Sequence, residues 1–438
     1  MADRRNQNKM TPAERERFVR ALLRMKRDRA AAYRYDQYPE MHALAAPDVP
    51  PPDIVDENPA HRGPAFGPWH RYFLARFEQD LQEADRREGG DGRLMLPYWD
   101  WVNDNATTPN RQRGQIWDDA FMGGDGAPVS SGPFAAASGR WRTVGGAGNL
   151  VRAFGGSIAS LPTKATVADA MLAEGYDTRP FDDSMGYATG VSQPPAPSAT
   201  GAAGGTLAPG IYQVVTTYMN GAGETRPSPP TAVCVGGGCA PANAFNAIVV
   251  SSPPAAARGT ATGYRTYVSP VNGSADDARL EGAFTAIGTP VTIRSLRSGD
   301  RRPGINTTSS FRNILEGWAS RSGDIDVHNR VHVWVGGSML PGTSPDDPVF
   351  FMHHCNIDRL WAQWQAQHPG QNYPVDVLRI GSAGRRPHGL NEPMPPWIGA
   401  ELVTPAQVLD HTRLVVRGRP AGYTYDTDPL PFGLNVSP

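Results

Sequence analysis

The stretch "HNRVHVWVGG" at residues 328–337, followed by "FFMHHCNIDRLWAQW" at 350–364, decides how this chain is read. The protein has ten histidines in 438 residues, and four of them fall in this short segment. His328 and His332 are four positions apart, so a helix puts both on one face, within reach of one metal ion. His354 and Asp358 repeat that spacing on the next helical segment. Asp358 is therefore expected beside His354, as an acceptor that fixes its ring.

Working outward, "TPAERERFVRALLRMKR" has Thr11 as a helix cap and Pro12 at the first helical position. Phe18, Ala21, Leu22 and Met25 recur on one face of it. A second amphipathic helix opens at His70 and runs through Phe77, with Phe73, Leu74 and Leu81 in its apolar stripe. His61 precedes it in "HRGPAFGPWH", where Pro64 and Pro68 are expected to stiffen a loop. His42 lies further upstream in "YDQYPEMHAL". The histidines thus form an upstream group (His42, His61, His70) and a downstream group (His328, His332, His354), with no thiolate or obligate carboxylate in either. Neutral imidazole suits copper, zinc, iron and nickel, and three nitrogens leave coordination positions open. Spacing keeps a zinc hydrolase and a copper oxidase as close rivals. A zinc hydrolase more often recruits carboxylates, so two all-histidine groups lean towards redox copper.

Between the groups the character changes. Residues 193–204, within "QPPAPSATGAAGG", read as a Pro/Gly/Ala/Ser linker. Residues 205–297 then offer strand-like runs such as "GIYQVVTTYM", "AFNAIVVSS" and "GYRTYVSP" between Gly and Pro turns, the pattern of a small β-sandwich. Helical pattern returns from 305 to 438. The expected architecture is mainly α: a helical metal domain, 1–192 and 305–438, interrupted by a β domain whose insertion costs little entropy if its ends lie close together. Cys234 and Cys239 in "CVGGGC" are left either bridged or reduced, and Cys355 is read as small buried filler.

Bulk properties exclude several classes. A formal net charge of −1 gives no field for nucleic acid. No run approaches the roughly 18 apolar residues of a membrane span. The start "MADRRNQNKM" shows no apolar signal segment, so residence in the cytoplasm is the default, with export alongside a partner protein as the other route.

The motifs "HRGPAFGPWHRYFLARFEQDLQ", "LPYWDW", "IWDDAFMGGDG", "FRNILEGW", "HNRVHVWVGGSM", "SPDDPVFFMHHCNIDRLWAQW" and "GYTYD" together closely resemble the bacterial tyrosinases, type-3 dicopper proteins built on a central four-helix bundle. The resemblance covers roughly 10–192 and 305–427. It implies two copper ions, the first held by His42, His61 and His70 and the second by His328, His332 and His354, with dioxygen as cosubstrate. Of the adjacent pair, the resemblance assigns His354 as ligand and leaves His353 a structural or hydrogen-bonding neighbour. It implies ortho-hydroxylation of small phenols and oxidation of catechols to ortho-quinones, with a catechol or ortho-aminophenol oxidase as the alternative. Glu316 and Asn329 match the pair that positions a water for removing the phenolic proton. The connection between Glu316 and His328 is longer than the family's usual one. Phe350 matches the aromatic beside the second copper, Pro341 and Gly342 border the substrate mouth, and Val333 stands where some relatives carry arginine. The sequence also leaves open a copper-delivery or export partner. The strand-rich block resembles a fibronectin type III module.

Overall fold

The computed structural model describes residues 2–45, 60–61, 63–104, 115–145, 148–177, 191–220, 223–225, 227–257, 259–297, 310–317, 326–370, 373–374 and 389–426. The chain forms two compact units: Met1–Asp177 with Val327–Pro438, and Thr178–Asp326.

The first unit is helical. Helix α1 (Pro12–Arg27) starts as its sequence expects. Thr11 Oγ1 accepts the Glu14 N–H, and the Glu14 carboxylate accepts the Thr11 N–H at 2.8 Å. Helix α2 (Gln37–Ala45) ends near His42. Helix α3 (Phe66–Arg87) begins a full turn before His70, which corrects the expectation of a loop through Pro68. Proline is tolerated in a first turn because its missing N–H would find no intrahelical partner there. After the short α4 (Trp101–Asp104) and α5 (Lys164–Met171), α6 (Phe311–Glu316) belongs to the second unit. The chain re-enters the first through α7 (Val327–Val335) and α8 (Val349–Gln367).

Helix α3 packs on α1 and α8, and α7 packs on α8. Their shared core is aromatic: Phe77 lies flat against Phe351 at 3.5 Å between centroids, with Tyr35 and Tyr38 edge-on to both. The ends of the unit are tied together. Strand β1 (Ala2–Arg4) pairs in parallel with the last strand, Tyr423–Tyr425. The Arg4 guanidinium lies 3.4 Å from the Tyr423 ring centroid and bonds Glu78 at 3.0 Å.

The second unit holds two sheets. One orders β2 (Ala199–Ala202), β6 (Ala247–Val250) and β9 (Val291–Ile293). The other orders β4 (Gly223–Glu224), β3 (Gly210–Asn220), β7 (Gly263–Val268) and β8 (Arg279–Ala286), with β5 (Thr231–Val235) also paired to β3. Tyr212, Val214, Val233, Val235 and Val268 from one sheet share a core with Ile248, Val250 and Ile293 from the other. Cys234 and Cys239 form a disulfide.

Two expected boundaries move. Residues 193–204 are not all linker, because Ala199–Ala202 pairs antiparallel with β6, and small residues without bulk still supply a ladder. The unit boundaries fall at 177/178 and 326/327 rather than 192 and 305. Locally, the Asp326 N–H bonds Gly317 C=O at 3.1 Å, which keeps the end of α6 and residue 326 in one unit. The long connection, 318–325, and the expected return point at 305 lie outside the described residues. Among the described residues no helix is long and apolar enough to cross a membrane.

Candidate metal centre

All the singled-out histidines lie in the first unit, in two groups whose candidate ligand atoms lie within 4.8 Å of one another: His42, His61 and His70, and His328, His332, His353 and His354. The groups adjoin. His70 stacks on His354 at 4.3 Å between centroids, and His61 lies 5.8 Å from His328. Phe350 is the wedge between them, 4.0 Å from the His354 ring and 5.0 Å from that of His42.

Hydrogen bonds fix which nitrogen faces inward. His42 Nδ1–H donates to Gly342 C=O at 2.6 Å and His70 Nδ1–H to Phe66 C=O at 2.9 Å. His332 Nδ1–H donates to Met339 C=O at 2.7 Å, and His328 Nδ1–H to Asn329 Oδ1 at 3.0 Å. Each of these four rings therefore presents a bare Nε2 lone pair. In the downstream group, His354 Nε2 lies 3.2 Å from Nε2 of both His328 and His332. In the upstream group, Nε2 of His42 and of His70 are buried without a partner among the described residues. Lone pairs converging in a buried space repel unless a cation sits among them. Imidazole nitrogens about 2 Å from a shared ion are spaced much as these are. The residues fit copper, and no carboxylate or thiolate competes in either group.

Burial also keeps the rings neutral, as ligands must be. Desolvation pushes the pKa of His42 down to about 3, although its bond to Gly342 opposes the shift, and that of His332 down to about 4. Burial likewise drives His70, His328, His353 and His354 well below the usual imidazole range.

His353 differs from its neighbour in one contact. Its Nδ1 accepts the Trp101 indole N–H at 3.1 Å, and indole is a donor only, so the neutral ring carries its proton on Nε2. Its ring stacks on His328 at 5.3 Å.

Asp358 corrects the expectation built on i,i+4 spacing. Its carboxylate accepts from Arg71 Nε at 2.6 Å, Arg4 at 3.3 Å and the hydroxyls of Tyr423 and Tyr425, while His354 Nδ1 has no partner among the described residues. Burial alone would raise the Asp358 pKa, but Arg71 and Arg4 outweigh it and hold it at about 2. Helical spacing made His354 available, and two buried guanidiniums took the carboxylate instead.

Pro341 is exposed, and Val333 and Gly342 are half-buried. The backbone role of 339–342 carries no sequence signal: carbonyls three residues apart hold His332 of one group and His42 of the other. This loop is pinned on residues 151–153. Gly336 and Gly337 take φ of 67° and 54°, and a Cβ on Gly337 would stand 2.3 Å from the Val151 carbonyl oxygen. Ser338 N–H donates to Val151 C=O at 2.8 Å, and buried Arg152 grips Asp347 at 2.6 and 2.8 Å. Trp101 was also missed as a positioning residue, although "YWDW" is prominent. Glu316, in the second unit, is buried and accepts from Arg312 at 2.8 Å.

The model of the common central domain of tyrosinase matches residues 32–173 and 206–367. A tyrosinase of Streptomyces antibioticus is 30% identical over 421 residues, covering 94% of this chain and 98% of the relative. A tyrosinase of Streptomyces glaucescens is 29% identical over 437 residues, covering 98% and 100%. A recombinant mushroom tyrosinase structure aligns with a TM-score of 0.45 at 16% identity, covering 97% of this chain and 61% of that one. The chain belongs to the tyrosinase family and is a copper oxidoreductase.

Proposed function

We propose that this protein hydroxylates monophenols to catechols and oxidises catechols to ortho-quinones with dioxygen. The observation that carries this reading is the contact between the two all-histidine groups, with His70 stacked on His354. When bound, a copper pair at this spacing supplies two electrons to one dioxygen molecule. The chain's own part is position: His42, His61 and His70 hold one ion, and His328, His332 and His354 the other. Phe350 packs on rings of both groups and excludes water.

Phenols ionise only near pH 10, so coordination needs help with the proton. By the family resemblance, Glu316 is the proposed base and Asn329 a proposed water-holding residue. Support for Asn329 lies in its amide: Oδ1 is committed to His328, while Nδ2–H is a buried donor without a partner among the described residues. Glu316→Gln keeps size and hydrogen-bonding reach but removes the basic carboxylate. At equal copper content and equal catechol priming it should lower initial monophenol rates by about 100-fold, the lower end of acid–base assistance. Catechols are more acidic and should lose far less. Raising pH should partly restore the monophenol rate. Equal losses on both substrates, or no loss, would remove Glu316 from the role. If the wild type itself turns over catechols alone, the catechol or ortho-aminophenol oxidase reading replaces this one.

The strand-rich unit is proposed to be an inserted fibronectin type III-like module, supported by two sheets sharing one core. Export alongside a copper-delivering partner is the proposed route out of the cytoplasm, supported by the Cys234–Cys239 disulfide, because such bonds persist in oxidising compartments. Thiol labelling of protein held inside the cell against protein recovered outside it tests this. Protein found only inside the cell, with Cys234 and Cys239 as free thiols, would count against it.

A further inference from the structure

A file of aromatic side chains leads away from the first histidine group. The Trp69 ring lies 5.0 Å from His70 and 5.8 Å from His42, centroid to centroid. Trp397 lies 5.0 Å from Trp69, and Tyr72 lies 4.8 Å from Trp397. All three are buried, and Tyr72 lines a surface cleft of about 650 Å³ together with Glu401, Gln407, Arg413 and Arg417.

Packing alone would account for stacked rings in an aromatic-rich domain. The hydrogen bonding along the file adds a direction. Trp69 Nε1–H donates at 2.8 Å to the Pro395 carbonyl, which is no base. Trp397 Nε1–H has no partner among the described residues. Tyr72 alone gives its proton-bearing atom to a carboxylate, since its hydroxyl donates to Glu401, which Arg76 also grips. An indole that loses an electron here keeps its proton and remains a strong oxidant. A phenol that loses an electron beside a carboxylate sheds its proton at once. Trp397 therefore only relays an electron vacancy from Trp69, and the vacancy rests on Tyr72, the member at the cleft, where proton loss to Glu401 drives the transfer.

We propose that Trp69, Trp397 and Tyr72 form an electron-supply route from this cleft to the copper centre, fed by electron-rich diols of the catechol or enediol class. The proposal rests on the copper reading of the histidine groups. With a copper pair bound, oxidised by dioxygen and no phenol present, Trp69 would give one electron to that pair, Trp397 would refill Trp69 and Tyr72 would refill Trp397, a second passage along the file delivering the second electron. The Tyr72 proton moves to Glu401, leaving a neutral phenoxyl and a neutral carboxyl group. A diol in the cleft returns one electron to Tyr72, Glu401 returns the proton, and the oxidised diol releases its own proton to water. The route spares the histidines and indoles from oxidation and adds a one-electron activity at a site separate from the phenol pocket.

The test uses the full chain loaded with copper, reduced to Cu(I) and freed of excess reductant, then exposed to dioxygen without phenol, freeze-quenched for electron paramagnetic resonance and digested for mass spectrometry. The wild type should show a tyrosyl signal that ascorbate abolishes, with little oxidation of Trp69 or Trp397. Tyr72→Phe should lose that signal and accumulate oxidised Trp397, with copper content and initial phenol rates unchanged. Trp397→Phe should also lose the signal, although Tyr72 is present. Should Tyr72→Phe bind less copper, Glu401→Gln carries the same comparison by slowing the loss of the phenol proton and so weakening the signal. No tyrosyl signal in the wild type, or an unaltered pattern of radicals and oxidised residues in Tyr72→Phe, overturns the route. Absent copper in the wild type would instead refute the metal assignment.

Discussion

The two histidine groups reach similar ends through unlike pieces of chain. In the downstream group, His328 and His332 sit one turn apart on α7, and His354 stands on the almost wholly buried α8. In the upstream group, His42 comes from α2, His61 from irregular chain and His70 from α3. One site is set by helix geometry before any ion arrives, while the other must order a ligand that no regular element holds. Metal binding should therefore be robust downstream and tunable upstream.

The largest effect tests that contrast directly. His354→Ala should leave about one copper per chain at any copper concentration, and activity should fall further than the about 10–100-fold typical of outer supports. His61→Ala should also abolish coupling between the coppers, yet regain its ion as copper is raised. Native mass spectrometry counts the ions. Equal, irreversible loss in both variants would break the comparison.

Acid should act on both groups. The folded-state pKa of His42 is about 3 and that of His332 about 4, against an ordinary value near 6.5. Below pH 6.5 the unfolded chain takes up more protons than the folded one. Stability of the copper-free protein should then fall as pH drops from about 6.5 towards 3–4. Copper competes with those protons, so the loaded protein should hold its melting temperature to lower pH. Thermal melts with and without copper measure this, and parallel curves would mean that the histidines do not bind the ion.

The same contrast explains what could be read from sequence. The i,i+4 pair on α7 and the capped, striped α1 follow from local periodicity. His42 and His70 are joined only by tertiary packing; their place along the chain grouped them, and the resemblance assigned them to one ion. Asp358 shows where periodicity misleads: the geometry allowed His354, but Arg4 and Arg71, distant in sequence, outbid it. The carbonyls of Met339 and Gly342 were invisible because every residue has a carbonyl.

Those carbonyls give the next prediction. Gly337→Ala places a Cβ against the Val151 carbonyl at a left-handed φ, a strain of about 1–3 kcal/mol. The loop carrying Met339 and Gly342 must shift, so copper affinity should drop by about 10-fold or more at both sites together. Loss confined to one site would show that the loop does not couple them, and would sharpen the view of two independent halves.

The smallest effect concerns the adjacent pair on α8. Trp101 holds the His353 proton on Nε2 by occupying Nδ1, which sets His353 apart from His354, the proposed ligand beside it. In a His61→Ala background at low copper, the downstream site should load alone, and nitrogen hyperfine structure should count its imidazoles. Three are expected. Trp101→Phe removes the indole N–H while keeping an aromatic ring, which frees His353 to move its proton to Nδ1 and offer Nε2 to the ion. A fourth nitrogen should then appear, with copper affinity altered by less than about 10-fold. His353→Ala should leave three nitrogens and a bound ion. A fourth nitrogen already present with Trp101 intact would make His353 a ligand, and the downstream group would hold its ion with four rings against three upstream.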